Sequence, residues 1–200
     1  MPFRIRQFLL LVMLLCCVII GMRVYIEIAA DKRPEGVGPA QEVPGQLPKF
    51  VLNDIWGEPT PISKWSGKPL LINFWATWCA PCRREMPLLQ ALHNEQPENG
   101  IQVVGIAIDW LPDVESYIAE SGISYPILVG QEDAMAVSGL FGLEGLGLPF
   151  SVLAGADGQI LTVYVGELAG EQIAAMATIS AEYASGRSDL AAVRERLREL

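Results

Sequence analysis

An apolar run at residues 69–75 (PLLINFW) leads, after three intervening residues, into Cys79-Ala80-Pro81-Cys82. A run that is short, unalternating and rich in aromatic groups reads as a central strand buried on both faces. Behind the cysteines, Met86, Leu88, Leu89 and Leu92 recur at helical spacing, with Pro87 inside as an expected kink. A buried strand that turns at once into a helix bearing two thiols restricts the chain to layered α/β architectures.

The later sequence continues that pattern. Residues 101–108 (IQVVGIAI) read as a second buried strand, and residues 112–120 as a helix stopped by Ser121-Gly122. A third short strand is expected at 125–129 and a short helix at 133–140. Strands at 149–154 and 159–165 flank Gly155-Ala156-Asp157-Gly158, a strong hairpin signal. Residues 171–183 form a closing helix. The fold class is therefore α/β, with a central mixed sheet flanked by helices. Residues 189–200 (DLAAVRERLREL) make a separate amphipathic helix, expected at the periphery with its partner left open. Trp56, Trp65 and Trp110 are expected as core or loop anchors. His93, three turns along the helix from the cysteines, is not expected to take part in catalysis.

The amino-terminal residues read as a membrane anchor. Residues 8–22 (FLLLVMLLCCVIIGM) carry no charge and follow Arg4 and Arg6. A span needs about 20 apolar residues; Arg23 can snorkel while Val24, Tyr25 and Ile26 extend the run. Positive residues ahead of it and an acidic chain behind it place the body across the membrane. A cleaved signal peptide is the competing reading, but Ile28 or Glu27 falls where a small residue is wanted before Ala29-Ala30. Cys16 and Cys17 read as apolar filler. Residues 31–46 (DKRPEGVGPAQEVPGQ) have the composition of a flexible tether. The expected order is an anchor at 1–28, a tether at 29–46, an α/β domain at 47–184 and the peripheral helix at 185–200.

Charge narrows the partners. The chain holds 14 basic and 23 acidic residues, net −9. Without residues 1–28 the balance is eleven against twenty-two, net −11, and between Arg84 and Arg187 fourteen acids meet no Lys or Arg. Phosphate backbones repel such a body, so nucleic acid is excluded as a partner.

The chemistry lies in the Cys-X-X-Cys pair. The first cysteine stands at a helix N-terminus, where unpaired N–H groups and the dipole lower a thiol pKa from about 8.5 toward about 7 or below. Arg83 and Arg84 add positive charge nearby. Pro81 is tolerated in the first turn, where its missing N–H is not needed. Two intervening residues let the second sulfur close a short disulfide, giving a couple that exchanges through a mixed disulfide. This sulfur chemistry calls for no cofactor and no metal. Three other readings stand beside it. One is a purely structural disulfide. The second is half a zinc site, although the body has no second cysteine pair and His93 is its only histidine. The third is a peroxidase site, although Cys82 is close and no Thr lies three residues before Cys79.

Residues 73–87 (NFWATWCAPCRREMP) resemble the active-site stretch of the membrane-anchored TlpA/ResA-type thioredoxin-like proteins. The similarity extends with decreasing sharpness from about 47 to 183. Residues 63–69 (SKWSGKP) resemble the family's lead-in, and Gly147-Leu148-Pro149-Phe150 with Asp157-Gly158 resemble its later loop and hairpin. The resemblance implies a thioredoxin-like fold, with Cys79 as attacking and Cys82 as resolving thiol of a redox-active disulfide. It implies a cis Pro149 facing the dithiol as part of the catalytic centre. Trp78, Ala80, Pro81 and the backbone of Leu148 become the contact surface for substrate.

Two departures matter. Thioredoxin has a buried acid in the strand before the site, where this chain has Asn73, which cannot accept a proton. Glu85, one turn past Cys82, is then the nearest candidate for proton transfer, with a capping or Arg-pairing role as its other reading; Asp109 is a further candidate. The residue before Pro149 is Leu, where relatives have Thr or Val, and narrows the groove.

The expected function is a thiol:disulfide oxidoreductase, single-pass in the inner (cytoplasmic) membrane. It would reduce cysteine-containing client proteins in the periplasm or an equivalent extracytoplasmic space, in cytochrome c or oxidase assembly. Its partners would be those clients and a membrane electron donor of the disulfide-reductase type. A copper-handling assembly factor that uses the same dithiol as soft ligands is the alternative; an exchange-incompetent contact domain is the third reading.

Overall fold

A computed structural model describes residues 44–95, 100–143 and 147–200, together with Met13 and Met22. Among these residues no helix is long and apolar enough to cross a membrane. The expected anchor at 1–28, apart from those two methionines, lies outside them.

Seven strands form one mixed sheet: β1 (Val51–Asp54), β2 (Pro59–Pro61), β3 (Leu70–Trp75), β4 (Gln102–Ile108), β5 (Ile127–Gly130), β6 (Phe150–Ala154) and β7 (Ile160–Val165). Their spatial order is β2-β1-β5-β4-β3-β6-β7. The inner strands β3, β4 and β5 run parallel, and every other pairing is antiparallel. All residues of β3, β4 and β6 are buried, as a sheet covered on both faces requires. Side-chain alternation divides the core. Leu71, Trp75, Val103 and Ala107 face one side, while Ile72, Phe74, Val104 and Ile106 face the other. On the second side Phe74 stacks on Phe150 and meets Phe141 edge-on.

The helices are α1 (Ala80–Asn94), α2 (Leu111–Ser121), α3 (Glu132–Gly139), α4 (Gly170–Ala184) and α5 (Leu190–Arg198). α1 continues through Pro87, which is exposed. Its buried stripe is Cys82, Glu85, Met86 and Leu89. Leu88, expected on the apolar face, is instead exposed, and Glu85 occupies the inner position. Gly122 ends α2 in the left-handed region at φ 70°.

Trp56 and Trp110 overturn another expectation. Both rings are exposed and belong to no core, whereas Trp65 is partly buried against the core cluster that includes Ile62, Leu70 and Ile72. The β1–β2 hairpin and the 3-10 turn at Ile62–Trp65 have no counterpart in the strand pattern of the sequence, because Pro59 and Pro61 break it. Proline is confined to edge strands, and β2 is an edge.

The last helix finds its partner. α5 lies on the outer strand β7 and beside α4, yet Val193 and Leu197 enter the main core. Arg194 donates from Nε and Nη2 to the Ile160 carbonyl oxygen at 3.0 and 2.7 Å. The helix is peripheral in position and integral by burial. Leu197→Ala is therefore expected to destabilise the fold by about 2–5 kcal/mol. Urea unfolding checks this; a midpoint unmoved from the parent would show that the helix adds nothing to the core.

Candidate active site

β3 delivers the chain to the site. After Trp75 a tight turn forms, with the Cys79 N–H donating to the Ala76 carbonyl oxygen at 3.2 Å, and Cys79 becomes the N-cap of α1. Cys79 and Cys82 are joined as a disulfide, and the Cys82 N–H donates to Cys79 Sγ at 3.3 Å. That N–H and the helix dipole are positioned to stabilise negative charge on Cys79 once the pair is reduced. Exposure separates the two sulfurs. Cys79 is 5% exposed and Cys82 fully buried, so an incoming disulfide meets Cys79 first.

Trp78 and Ala80 are exposed and Pro81 is half-buried. The Leu148–Pro149 peptide bond is cis. Phe150 pairs with Phe74 across the β3–β6 ladder, so Pro149 lies beside the end of β3 from which the Cys79 loop departs. Pro149 is buried, and its carbonyl oxygen accepts from the Gly166 N–H at 2.9 Å.

On the same buried stripe of α1 as Cys82 sits a buried carboxyl. Glu85 Oε1 accepts from Asn73 Nδ2 at 2.7 Å, and Oε2 accepts from the Leu168 N–H at 2.6 Å. Asn73 Nδ2 also donates to Ser151 Oγ at 3.1 Å. An acid at Asn73 would repel Glu85; an amide there binds it, so the carboxyl comes from the helix rather than the strand. Burial pushes Glu85 from an ordinary 4.5 up to about 7, against the opposing pull of the bonds from Leu168 and Asn73; the charge of Glu167 adds to the rise. Of the roles left open for Glu85, pairing with Arg is not seen among the described residues. Arg84 is bound from Nε to Glu167 at 2.9 Å, and the Arg83 guanidinium lies 5.5 Å from the Tyr117 ring centre.

Asp109 has a different task from proton transfer. Its Oδ2 accepts from the N–H and hydroxyl of Thr77 at 2.8 and 2.6 Å, and its Oδ1 accepts from the Trp110 N–H at 2.8 Å. It ties the loop after β4 to the turn that carries Cys79. No sequence signal marks this pairing, which joins residues 32 apart. His93 is partly buried beside Tyr125, and burial lowers its pKa.

The model of the AhpC/TSA family matches residues 43–163. The chain belongs to that family. It is 30% identical over 129 residues to thiol-disulfide oxidoreductase ResA of Halalkalibacterium halodurans, covering 64% of this chain and 71% of that one. The ResA of Bacillus thuringiensis (strain Al Hakam) is 27% identical over 168 residues, 83% of this chain and 91% of its own. A crystal structure of a thiol:disulfide interchange protein of the thioredoxin family from Chlorobium tepidum TLS superposes with a TM-score of 0.62 at 29% identity. It covers 70% of this chain and 99% of that one. The chain is thus of the ResA/TlpA type, its fold is thioredoxin-like, and it is a thiol:disulfide oxidoreductase.

The raised Glu85 pKa carries a stability consequence. The folded state holds a proton that the unfolded chain releases near pH 4.5, so stability falls as pH rises from about 4.5 to 7 and levels off above. Glu85→Gln is expected to flatten that slope. Unfolding midpoints of the oxidised protein at several pH values check it; a slope retained in the variant assigns the effect elsewhere.

Proposed function

We propose that the chain is a membrane-tethered thiol:disulfide oxidoreductase that reduces protein disulfides on the extracytoplasmic side, in cytochrome c or oxidase assembly. The observation that carries the chemistry is the graded burial of the pair at the mouth of α1, with a buried carboxyl, Glu85, one turn on from Cys82 along the same buried stripe. The apolar run at 8–22 between Arg4, Arg6 and Arg23 supports the tether, and the TlpA/ResA-type resemblance supports the assembly role.

In the reduced protein the Cys79 thiolate attacks a client disulfide, and the client's leaving sulfur departs as a thiolate that takes its proton from water. The mixed disulfide holds the client in the groove, with Leu148 and cis Pro149 beside it and Trp78 at its rim. Cys82 then gives its proton to Glu85 and attacks Cys79 Sγ, which releases the second client thiol and leaves the disulfide seen here. Glu85 suits this step because a group with a pKa of about 7 takes and returns a proton near neutral pH. Two electrons from a membrane donor of the disulfide-reductase type restore the dithiol. For copper handling, no group of three or more His, Cys, Asp or Glu able to hold a metal occurs among the described residues.

Cys79→Ser is expected to abolish turnover and Cys82→Ser to accumulate a mixed disulfide with clients, both visible on non-reducing gels. Glu85→Gln is expected to slow resolution of that mixed disulfide about ten-fold, with the loss of a neutral-pH inflection in its rate. The reduction potential of the full chain against glutathione sets the direction. A value near about −270 mV supports a reductant, and one near about −120 mV overturns that reading in favour of an oxidant.

A further inference from the structure

Two indoles stand out from the surface at the end of the sheet that carries the dithiol. Trp78 is 66% exposed and Trp110 63%. One carboxylate links their main chains. Asp109 binds Thr77, the residue before Trp78, through one oxygen and the Trp110 N–H through the other. β3 and β4 are adjacent and parallel, so the loops carrying the two tryptophans leave the sheet on the same side. The result is two exposed indoles, on main chain tied down by one carboxylate, at the end of the sheet that carries Cys79. Rigid exposed indoles are characteristic of binding hot spots, since they give large contact area at small entropic cost.

Beyond the two arginines that open α1, the surrounding charge is negative. Past Arg84, the loops that meet at this end of the sheet contain no Lys or Arg: Asp113 follows Trp110, and Glu132 and Asp133 follow β5, while Glu167, after β7, is paired with Arg84. Asp113 and Glu132 have no ion-pair partner among the described residues. Of the two arginines that open α1, Arg84 is taken up by Glu167 and Arg83 lies over Tyr117. An indole face attracts cations, and so does an acidic rim.

We propose that Trp78 and Trp110 together form the docking surface for an extended, cysteine-bearing polypeptide segment with Lys or Arg beside the cysteine. This rests on the reductase reading above and specifies the client's chemistry. The cationic side chains lie on the indole faces, and Asp113 and Glu132 draw them in. Cys79 then meets the client disulfide from the side that Asp109 holds fixed.

The test uses the full-length chain, prereduced, in single turnover. Two peptides share one intramolecular disulfide loop and differ only in Lys or Glu flanks. Each turnover converts the protein dithiol to its disulfide and the peptide disulfide to two thiols, so no further reductant is needed. Each rate is divided by that of the same peptide with dithiothreitol, which removes the effect of the flanks on the peptide thiols themselves. The normalised preference for the Lys peptide is expected to be about ten-fold at low salt and to shrink toward one at about 0.5 M salt. Trp110→Ala is expected to cut it at least about three-fold. Trp56→Ala, on a still more exposed indole at the opposite end of the sheet, is expected to leave it in place. Equal normalised rates for the two peptides, or a preference untouched by Trp110→Ala, overturns the docking surface alone. Failure to reduce either peptide or a small aliphatic disulfide overturns the reductase reading and the docking surface with it.

Discussion

The carboxyl group of Glu85 sits without solvent under a redox pair, and the arrangement of the site follows from how it is held there. Burying an acid is unfavourable unless it is protonated or hydrogen-bonded, and here both operate. Asn73 reaches it from β3, Leu168 from the loop after β7, and Ser151 steadies Asn73 from β6. Three separate stretches of chain thus converge on one turn of α1. That convergence places the helix mouth at the end of β3, beside which the cis Leu148–Pro149 bond leads into β6.

The second organising contact is Asp109. Glu85 fixes the helix from below, whereas Asp109 fixes the turn that feeds it from the side. A corner such as Ala76–Cys79 leaves the N–H of its second residue facing outward, and Asp109 satisfies that group at Thr77. Two acids that resemble each other in the sequence therefore do unlike work. One is a buried carboxyl whose pKa burial raises, and the other accepts three hydrogen bonds that tie two loops together.

Much of this was readable from local pattern. Unbroken apolar runs gave the buried strands β3, β4 and β6, Gly122 and the Gly155–Gly158 turn gave the boundaries, and the spacing of Cys79 and Cys82 gave the reactive pair. Expectation failed where long-range contact overrides local preference. Leu88 has the right character for the core but the wrong angular position, and Glu85 takes the inner place because Asn73 and Leu168 wait there for it. Trp110 looked like an anchor because tryptophan seldom stays in water without a purpose. The hairpin β1–β2 was hidden by its own prolines, and the depth of α5 depended on β7, which no periodicity within residues 189–200 reveals.

The two outer strands share a property of a different kind. β2 is short and carries Pro59 and Pro61, which lack the N–H a neighbouring chain would bind, while the far side at β7 is shielded by α5, whose Arg194 already occupies the Ile160 carbonyl. Neither margin of the sheet offers a ready template for strand addition. For a thiol:disulfide oxidoreductase, which acts on cysteine-containing proteins, such blunted margins disfavour co-assembly with those proteins into β-rich aggregates.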